Sequence, residues 1–401
     1  MERGFVCACI VLFLLGLSWS TINILLPLYA TSIETLTTTL EAPVLFGTLW
    51  SVIGVARLSV ETPSGILADR VGRRVTVVGG LGCATAAFIR YATAQTSIDV
   101  LMGGVLSGIG FAVTNIGVAV YAADYMPLKD RARYTGMLNG SMMASNIVGP
   151  ILGSFIAQYF GLRASFFTSA LIVSSAFVIS ILTIRDQKKV GDQTKGEKAS
   201  LFQDYRVFLK NRVYLILFIV SFFFSLVIWS FNAMIFPNYG RNTLFLTIAE
   251  IGLLTSINSI ALFLNQFFFS GIIARHLSKR NAITLGLLIY GAAAYSFSLL
   301  SDFVSLALAF IALGLSLGII NPSLEAFWID ITKTEERGRV FGLRITFFDL
   351  GQIFFSTMMP TLVRLNPRFP FYGVAMGALF NATILYITLR RTYKTTESNL
   401  K

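Results

Sequence analysis

Long apolar segments alternate with short polar ones along the chain, and this alternation predicts membrane-spanning helices. A helix needs about 20 mainly apolar residues to cross about 30 Å of hydrocarbon. Twelve segments are long enough: 5–28, 44–66, 75–94, 100–123, 137–159, 166–184, 213–236, 250–273, 282–300, 303–326, 340–362 and 370–389. A transmembrane strand would need only about 9–11 residues of alternating polarity. The pattern therefore predicts an all-α membrane protein with twelve transmembrane helices.

Composition agrees with this pattern. Hydrophobic residues make up 55% of the 401 residues and charged residues only 13%, which leaves too little polar surface for a soluble globule of this length. The first segment is as apolar as a secretory signal peptide, but only Glu2 and Arg3 precede it as charged residues, and no small-residue cleavage pattern follows it. We therefore expect this segment to be retained as a helix.

The residues that most often carry metal or nucleophile chemistry are few. Cys7, Cys9 and Cys83 all lie inside apolar segments, and the single histidine, His276, lies in a short polar segment. An odd, dispersed set of cysteines predicts neither a disulfide framework nor a metal site. The sequence also lacks a phosphate-binding loop. We expect no enzyme activity, no cofactor and no bound metal.

The net charge of +12 fits the orientation of a membrane protein. With both termini placed in the cytoplasm, most Lys and Arg residues fall in the inside segments, as positive-inside orientation requires. The exceptions lie in outside loops (Arg163, Arg241, Arg364 and Arg368) or within spans (Arg57, Arg90 and Arg344). The basic character therefore needs no nucleic-acid partner, and we expect a multi-pass protein of the cell membrane.

The second half of the chain repeats the first. A charged segment, residues 185–212, predicts a solvated cytoplasmic linker between six spans in 1–184 and six in 213–401. A shift of 206 positions pairs Asn115 with Asn321, Asp124 with Asp330, Arg131 with Arg337 and Gly136 with Gly342; a shift of 210 pairs Trp19 with Trp229. Because each half has an even number of spans, the repeats run parallel, which predicts a substrate site between them near the bilayer midplane.

Two copies of one loop sequence indicate a family. GILADRVGRR, Gly65 to Arg74, lies between the second and third spans, and GIIARHLSKR, residues 271–280, lies at the same place in the second half. The first copy resembles the loop signature of the major facilitator superfamily, whose fold has two six-helix bundles. The resemblance implies a secondary transporter that moves a small-molecule substrate by alternating access, and we expect a monomer in the bilayer.

The loop signature predicts a latch on the cytoplasmic side. Its candidate residues are Gly65, Asp69, Arg70, Gly72, Arg73 and Arg74, together with Asp124. We expect the two glycines to allow a tight turn and close backbone approach, and Asp69 to accept hydrogen bonds at a helix N-terminus.

The resemblance implies two latch contacts. In it, Asp69 meets the start of the eleventh helix, near Gly338 to Gly342, and Arg73 meets Asp124, so the latch would hold the cytoplasmic ends together in the outward-open state. The alternative is that the basic residues only anchor the loop inside. Since Arg275 replaces the acid in the second copy, we expect a one-sided latch.

The fifth span resembles the antiporter signature of drug/proton exchangers. Gly136, Gly149, Pro150 and Gly153 fit that pattern, whereas Ser145 and Ser154 stand where it has glycines. A second signature of those exchangers has an arginine early in the fourth span, where this chain has Gly104. The resemblance implies export in exchange for protons. The alternative is that small residues and a proline kink serve helix packing alone.

Four charged residues lie deep in the second and eleventh spans: Arg57, Glu61, Arg344 and Asp349. A charge at a helix centre costs at least about 2.5–3.5 kcal/mol on insertion scales and usually faces the bundle interior. Their depths match with antiparallel sense, which predicts cross-interface pairs of Glu61 with Arg344 and of Arg57 with Asp349. The alternative is pairing within each helix, as Arg57 and Glu61 allow. Candidates for proton coupling are Glu61, Asp349 and Glu325.

The resemblance implies that the first, fourth, seventh and tenth spans line the central cavity. They offer amides and aromatic rings: Trp19, Asn23, Asn115, Tyr121, Trp229, Asn232, Asn321 and Phe327. Such a lining suits neutral or amphipathic compounds better than small ions. The alternative is that these residues serve helix packing.

Three functions follow from the sequence. The leading hypothesis is export of lipophilic or amphipathic compounds, coupled to protons. The alternatives are an uptake symporter or uniporter for a small metabolite such as a sugar or an organic acid, and a membrane receptor or scaffold that transports nothing.

Overall fold

Helices occupy each of the twelve predicted segments. The computed structural model describes residues 3–29, 42–124, 130–184, 208–231, 235–333 and 336–399. The helices are α1 (Arg3–Asn23), α2 (Ala42–Arg70), α3 (Arg73–Ala92), α4 (Ser97–Ala123), α5 (Arg131–Phe160), α6 (Leu162–Thr183), α7a (Arg212–Ser230), α7b (Phe236–Asn242), α8a (Ile248–Leu264), α8b (Ser270–His276), α9 (Lys279–Ser296), α10 (Phe303–Ile331), α11 (Arg337–Leu365) and α12 (Phe369–Asn399). The described residues contain no strand, which confirms the all-α class.

Eight of the described helices are long and apolar enough to cross a membrane. They are α1, α3, α4, α5, α6, the whole of α8, α10 and α12. A ninth, α7a, is apolar but shorter. Charged residues interrupt the apolar stretches of α2 and α11, and α9 begins with Lys279 and Arg280. The count of twelve spans therefore stays a prediction.

One predicted span is interrupted in a way that the apolar pattern did not predict. The seventh comprises α7a and α7b on either side of residues 232–234, which lie outside the described residues. The eighth contains a π-helical turn, Asn265–Phe269, between α8a and α8b. At this turn the side-chain Nδ2 of Asn265 donates to the backbone carbonyl of Leu315 on α10, at 2.5 Å. Gly318 leaves room for this approach, because a Cβ there would lie 2.6 Å from the Cβ of Asn265. The side chain that reaches α10 thus lies where the regular helix is interrupted.

The chain forms two compact units. The first comprises Met1–Gln187, Asn232–Ser259 and Ser356–Pro367, and the second comprises Lys188–Phe231, Ile260–Phe355 and Arg368–Lys401. In the first unit α1 packs on α5 and α6, and α3 packs on α4; in the second, α9 packs on α10 and α12. The division into bundles at residues 184 and 213 stays a prediction.

The sequence repeat reappears as a packing repeat. A Cβ on Gly80 of α3 would lie 2.5 Å from the hydroxyl of Thr114 on α4, and a Cβ on Gly286 of α9 would lie 2.6 Å from Ile320 on α10. Both members of the second pair follow the first by 206 positions. The absence of a side chain at these two glycines therefore sets the same close helix contact in each half.

The starts of α4 and α10 are capped at matching positions. Thr96 and Asp99 form a reciprocal capping box at α4, while the carboxylate of Asp302 accepts from the backbone N–H of Ser305 at 2.8 Å. That hydrogen bond favours the ionised carboxylate and lowers the pKa of Asp302. Asp302 follows Thr96 by 206 positions, so both repeats begin their long central helix with a side-chain cap.

Candidate functional site

A cavity of about 220 Å³ lies in the second unit, between α7a, α10 and α11. Its polar lining residues are Ser221, Asn321, Glu325 and Arg344. Its apolar lining residues are Phe224, Ile228, Leu324, Ile345 and Phe348. A mainly apolar wall with a few polar groups is typical of small-molecule sites.

An ion pair forms part of the cavity wall. Arg344 Nη2 of α11 lies 2.5 Å from Glu325 Oε1 of α10. The guanidinium carbon also lies 4.9 Å from the ring centroid of Phe341 and 5.8 Å from that of Trp328. The side chain of Glu325 is 47% exposed and that of Arg344 only 18%. The carboxylate is therefore the more accessible member of the pair.

The predicted cavity residues separate into three groups. Asn321 lines the cavity. Trp19, Tyr121 and Phe327 are buried instead, and the ring of Trp19 packs 5.7 Å from that of Phe111 and 6.1 Å from that of Trp50. These three rings fill the packed interior of their units, so the alternative interpretation, packing, describes them.

Four other residues that were predicted to line the cavity stay untested. Asn23 and Asn115 are half-buried, and Asn23 Oδ1 is buried without a hydrogen-bond partner among the described residues. Asn232 and the side chain of Trp229 lie outside the described residues. Contact of Asn23, Asn115, Trp229 and Asn232 with a substrate stays a prediction.

Several cavity residues were missed by the sequence reasoning. Phe224 and Ile228 belong to the run SFFFSLVIW on the seventh span, and Phe348 follows Arg344 by one helical turn. Residues four positions apart lie on one face of a helix. The helical spacing from Arg344 and Asn321 was therefore the available signal.

The deep charges form pairs within the units. Arg57 Nε lies 3.3 Å from Glu61 Oε1 on α2, with the two side chains 15% and 25% exposed. Arg344 pairs with Glu325 across α10 and α11, and Asp349 is fully buried on α11. The pair of Arg57 and Glu61 matches the within-helix alternative. The predicted pairs of Glu61 with Arg344 and of Arg57 with Asp349 would join the two units, and they stay predictions.

The signature loop ties together several helices of the first unit. Arg73 Nε donates to Asp124 Oδ2 at 3.1 Å, and Arg73 Nη1 donates to the carbonyl of Ala68 at 3.2 Å. Arg74 Nη2 donates to the carbonyl of Ile181 near the end of α6 at 2.9 Å. The expected contact of Arg73 with Asp124 is therefore present. Because both residues belong to the first unit, this contact does not require the second unit to be near, contrary to the latch hypothesis.

The two signature glycines differ in role. Gly72 has φ +116° between α2 and α3, a conformation that favours glycine. Gly65 lies inside α2, where an added Cβ would meet no atom within 4 Å. The expected tight turn is present at Gly72, but the expectation of a turn or close approach at Gly65 is wrong. The side chain of Asp69 lies outside the described residues, and Arg70 is exposed at the last position of α2.

The second copy of the loop keeps one of the first copy's contacts. Lys279 Nζ of α9 forms an ion pair with Asp330 Oδ2 of α10. These residues follow Arg73 and Asp124 by 206 positions. The loop ion pair is therefore two-sided, whereas the one-sided latch was argued only from the lost acid at Arg275.

The small residues of α5 pack against α1. A Cβ on Gly149 would overlap the side chain of Ser20, and one on Gly153 would overlap the backbone of Thr21. Pro150 lies inside the helix, and Gly136 has no atom within 4 Å of a Cβ position. Helix packing therefore accounts for Gly149 and Gly153, and an antiporter role for the motif stays a prediction.

The first unit also joins α2 to α11 and α5 to α8a. The hydroxyls of Ser51 and Thr357 lie 2.9 Å apart, and the hydroxyl of Ser256 donates to the carbonyl of Ile147 at 2.9 Å. A Cβ on Gly47 would lie 2.5 Å from Pro360. These helices are therefore closely packed at the contacting positions.

Comparison with known proteins identifies the same family in each half. The family model described as Major Facilitator Superfamily matches residues 8–247 and again residues 231–401. Multidrug resistance protein 2 of Bacillus subtilis is 24% identical over 331 residues, which cover 81% of this chain and 81% of that protein. The quinolone resistance protein NorA of Staphylococcus aureus is 22% identical over 358 residues, covering 88% and 90%.

Solved structures share the fold at low sequence identity. A peptide transporter crystallised in complex with sulfate gives a TM-score of 0.81 at 14% identity, covering 98% of this chain and 95% of that one. A D-xylose-proton symporter gives 0.78 at 13% identity, covering 95% and 97%. At such identities the likeness concerns the arrangement of helices alone.

Proposed function

The chain belongs to the Major Facilitator Superfamily of membrane transporters, and from this premise we propose that it exports amphipathic organic compounds in exchange for protons. It is a multi-pass secondary transporter of small molecules rather than an enzyme. The observation that carries the proposal is the cavity between α7a, α10 and α11, because its apolar walls surround a small number of polar groups.

The named relatives support the direction of transport. Multidrug resistance protein 2 and the quinolone resistance protein NorA match this chain over 81% and 88% of its length. Their names describe resistance to several drugs and to quinolones, and export of the drug is the route to resistance that a membrane transporter can provide. The cavity is compatible with that substrate class, because five of its lining residues are apolar and two of these are aromatic.

Location and orientation belong to the same proposal. The transporter lies in the cell membrane as a monomer, with both termini and the linker in the cytoplasm. Two six-helix bundles, residues 1–184 and 213–401, move about this linker. In that orientation Ser51, Thr357 and Ser256 lie on the outer side of their helices and Ile147 near mid-depth, so their two hydrogen bonds would restrict access from the outer side.

Glu325 is the carboxylate that we assign to proton coupling. A coupling acid must be reachable from the substrate path and from water, and the side chain of Glu325 lines the cavity with 47% exposure. Glu61 is 25% exposed and Asp349 is fully buried. We therefore rank Glu325 above the two other candidate acids.

Reconstitution into liposomes tests the function. We expect the purified protein to move fluorescent amphipathic dyes, and an imposed pH gradient to accelerate this movement. Glu325→Gln should abolish the acceleration, whereas Arg280→Gln, which removes a charge that lies over the Tyr386 ring at 4.8 Å, should retain it. Uptake of a sugar or an organic acid without any dye movement would contradict export, and no flux of either class would favour a receptor or scaffold.

A further inference from the structure

The two members of the cavity ion pair differ in the attractive contacts that they make besides the pair itself. Among the described residues, the guanidinium of Arg344 bonds to Glu325 and also lies over the rings of Phe341 and Trp328. For Glu325, by contrast, the contact seen among the described residues is the ion pair with Arg344. Arg344 would thus keep attractive contacts if it lost the carboxylate, because a cation is attracted to the face of an aromatic ring.

We propose that Arg344 competes with the substrate for Glu325. An organic ammonium group displaces the guanidinium of Arg344 from the carboxylate, and the rings of Phe341 and Trp328 hold the displaced guanidinium. This inference rests on the proposed function and deepens it, because it assigns a charge class to the substrate and a specificity-determining role to Arg344. Affinity for an ammonium is then limited by the protein's own arginine.

The displacement keeps Glu325 compensated throughout. Before binding, Glu325 is neutralised by Arg344; after binding, it is neutralised by the ligand, while Arg344 remains over its two rings without a counter-anion. An uncompensated charge is costly in a partly desolvated site, and the attraction of the guanidinium to the two rings offsets part of that cost. The cost that remains is what limits the affinity for an ammonium.

The remaining lining residues define the body of the ligand. Asn321 precedes Glu325 by one turn on α10, and Phe348 follows Arg344 by one turn on α11, so these side chains extend the cavity from the ion pair along two helix faces. Phe224 and Ile228 of α7a complete this part of the wall. A cavity of about 220 Å³ suits an ammonium with a one-ring apolar body.

Matched probes test the competition by binding alone. Benzyltrimethylammonium carries the charge, neopentylbenzene is its neutral isostere, and 4-tert-butylbenzoate has a similar size and the opposite charge. Binding of each probe to the purified full chain in lipid nanodiscs is measured by equilibrium dialysis at one pH. The wild-type protein should bind the ammonium more tightly than the two other probes.

Two variants should move the affinity in opposite directions. Arg344→Met should tighten ammonium binding by about fivefold, the change expected when a partly exposed ion pair no longer competes. Glu325→Gln should weaken it by at least as much and should abolish the preference over neopentylbenzene. Arg344→Lys keeps the charge and should remain near wild type. Arg280→Met is the matched control, because it removes a cation outside the cavity and should leave all three affinities unchanged.

Several results would overturn the inference. They are weaker ammonium binding in Arg344→Met, loss of 4-tert-butylbenzoate binding in that variant, which would indicate an anion site, or binding of no probe by the wild-type protein. If Arg344→Met fails to fold, Arg344→Gln takes its place, because it also removes the competing charge and should tighten ammonium binding in the same direction. Dye export with unchanged probe affinities would contradict only this inference. Probe affinities that shift as expected in a protein that exports no dye would contradict only the proposed function.

Discussion

Lys279 at the start of α9 forms an ion pair with Asp330 near the end of α10, and this pair repeats the contact of Arg73 with Asp124 in the first half. In each pair the two residues are 51 positions apart. Each pair joins the beginning of one helix to the end of the next helix but stays inside its own unit. The basic residue of the loop therefore fixes the same corner of each repeat, in addition to any function between the repeats.

Exchange of charges should reveal the strength of these two pairs. Lys279→Asp or Asp330→Lys alone places like charges together, and the double exchange restores the attraction. An exposed pair contributes about 0.2–1 kcal/mol, and since the side chain of Arg73 is 16% exposed against 37% for Lys279, we expect the larger coupling at Arg73 and Asp124. Double-mutant cycles on the unfolding free energy measure both. Equal, negligible coupling in the two cycles would contradict a corner function.

Gly72 and Gly65 should respond oppositely to alanine. Gly72→Ala places a Cβ on a residue with φ +116° and ψ +154°, a conformation essentially confined to glycine, which costs about 1–3 kcal/mol. Gly65→Ala is the matched control: it adds a methyl group where no atom lies within 4 Å, and alanine in a helix interior gains about 0.5–1 kcal/mol over glycine. Thermal unfolding of the purified variants should lower the midpoint for the first and leave it unchanged or raised for the second. A lower midpoint for Gly65→Ala would reveal a close neighbour at that site.

Asp69 carries the predicted contact with the start of α11. Asp69→Asn removes its charge, so we expect a smaller population with closed cytoplasmic ends and slower transport, with little loss of folded protein. Asp69→Glu keeps the charge and serves as the control. Distances between spin labels at the cytoplasmic ends of α4 and α10 measure the populations. An unchanged distance distribution in Asp69→Asn would mean that the loop serves topology and the corner contacts alone.

Alanine substitutions along α5 should separate packing from open surface. Gly149→Ala and Gly153→Ala would drive a methyl group into Ser20 and Thr21 of α1, and overpacking of this kind costs about 1–3 kcal/mol. Gly136→Ala has no atom within 4 Å and should retain the wild-type unfolding midpoint. If all three variants have the same midpoint, packing against α1 does not explain the two inner glycines, and a function in proton exchange becomes the better account of the motif.

The fold was predictable where local pattern and repetition decide it. Apolar length predicted a helix at every segment, and the 206-position shift related Asp124 to Asp330 before any contact was known. The π-helical turn at Asn265 was not predictable in this way. It depends on a hydrogen bond to Leu315, which lies 50 positions away and on another helix, and apolar periodicity contains no information about such a partner.

The composition of the site was predictable, but its position was not. Asn321 lines the observed cavity, whereas Phe327 is buried. At about 100° per residue, Leu324 and Glu325 lie within about 60° of Asn321 around the axis of α10, whereas Phe327 lies about 120° away. The helical angle therefore separates the lining residues from the buried ring. The pair of Arg344 with Glu325 was not predicted, because the depth match relates α11 to α2 alone.

Charge exchange can decide whether Arg344 of α11 pairs with Glu325 or with Glu61 of α2. Arg344 bonds to Glu325 in the second unit, while the depth match predicts Glu61 as its partner. Arg344→Glu alone should cost on the order of 3–5 kcal/mol, because it leaves an uncompensated charge. Combination with Glu325→Arg should recover stability, and combination with Glu61→Arg should recover transport if the cross-interface pair forms. Unfolding midpoints and liposome flux are measured on these three variants and on the wild-type protein.

The second pair provides an internal comparison. Arg57 bonds to Glu61 at 3.3 Å, so Glu61→Arg also breaks a pair within α2. The charge exchange of Arg57 with Asp349 must therefore be tested together with that of Glu61 with Arg344. Since Asp349 is fully buried, single changes there should be more harmful than those at Glu61. Recovery matters more than loss, because a new charge in a span is harmful in any position. If the Glu61 and Asp349 exchanges recover nothing while the Glu325 exchange does, the depth match is coincidental and each unit neutralises its own charges.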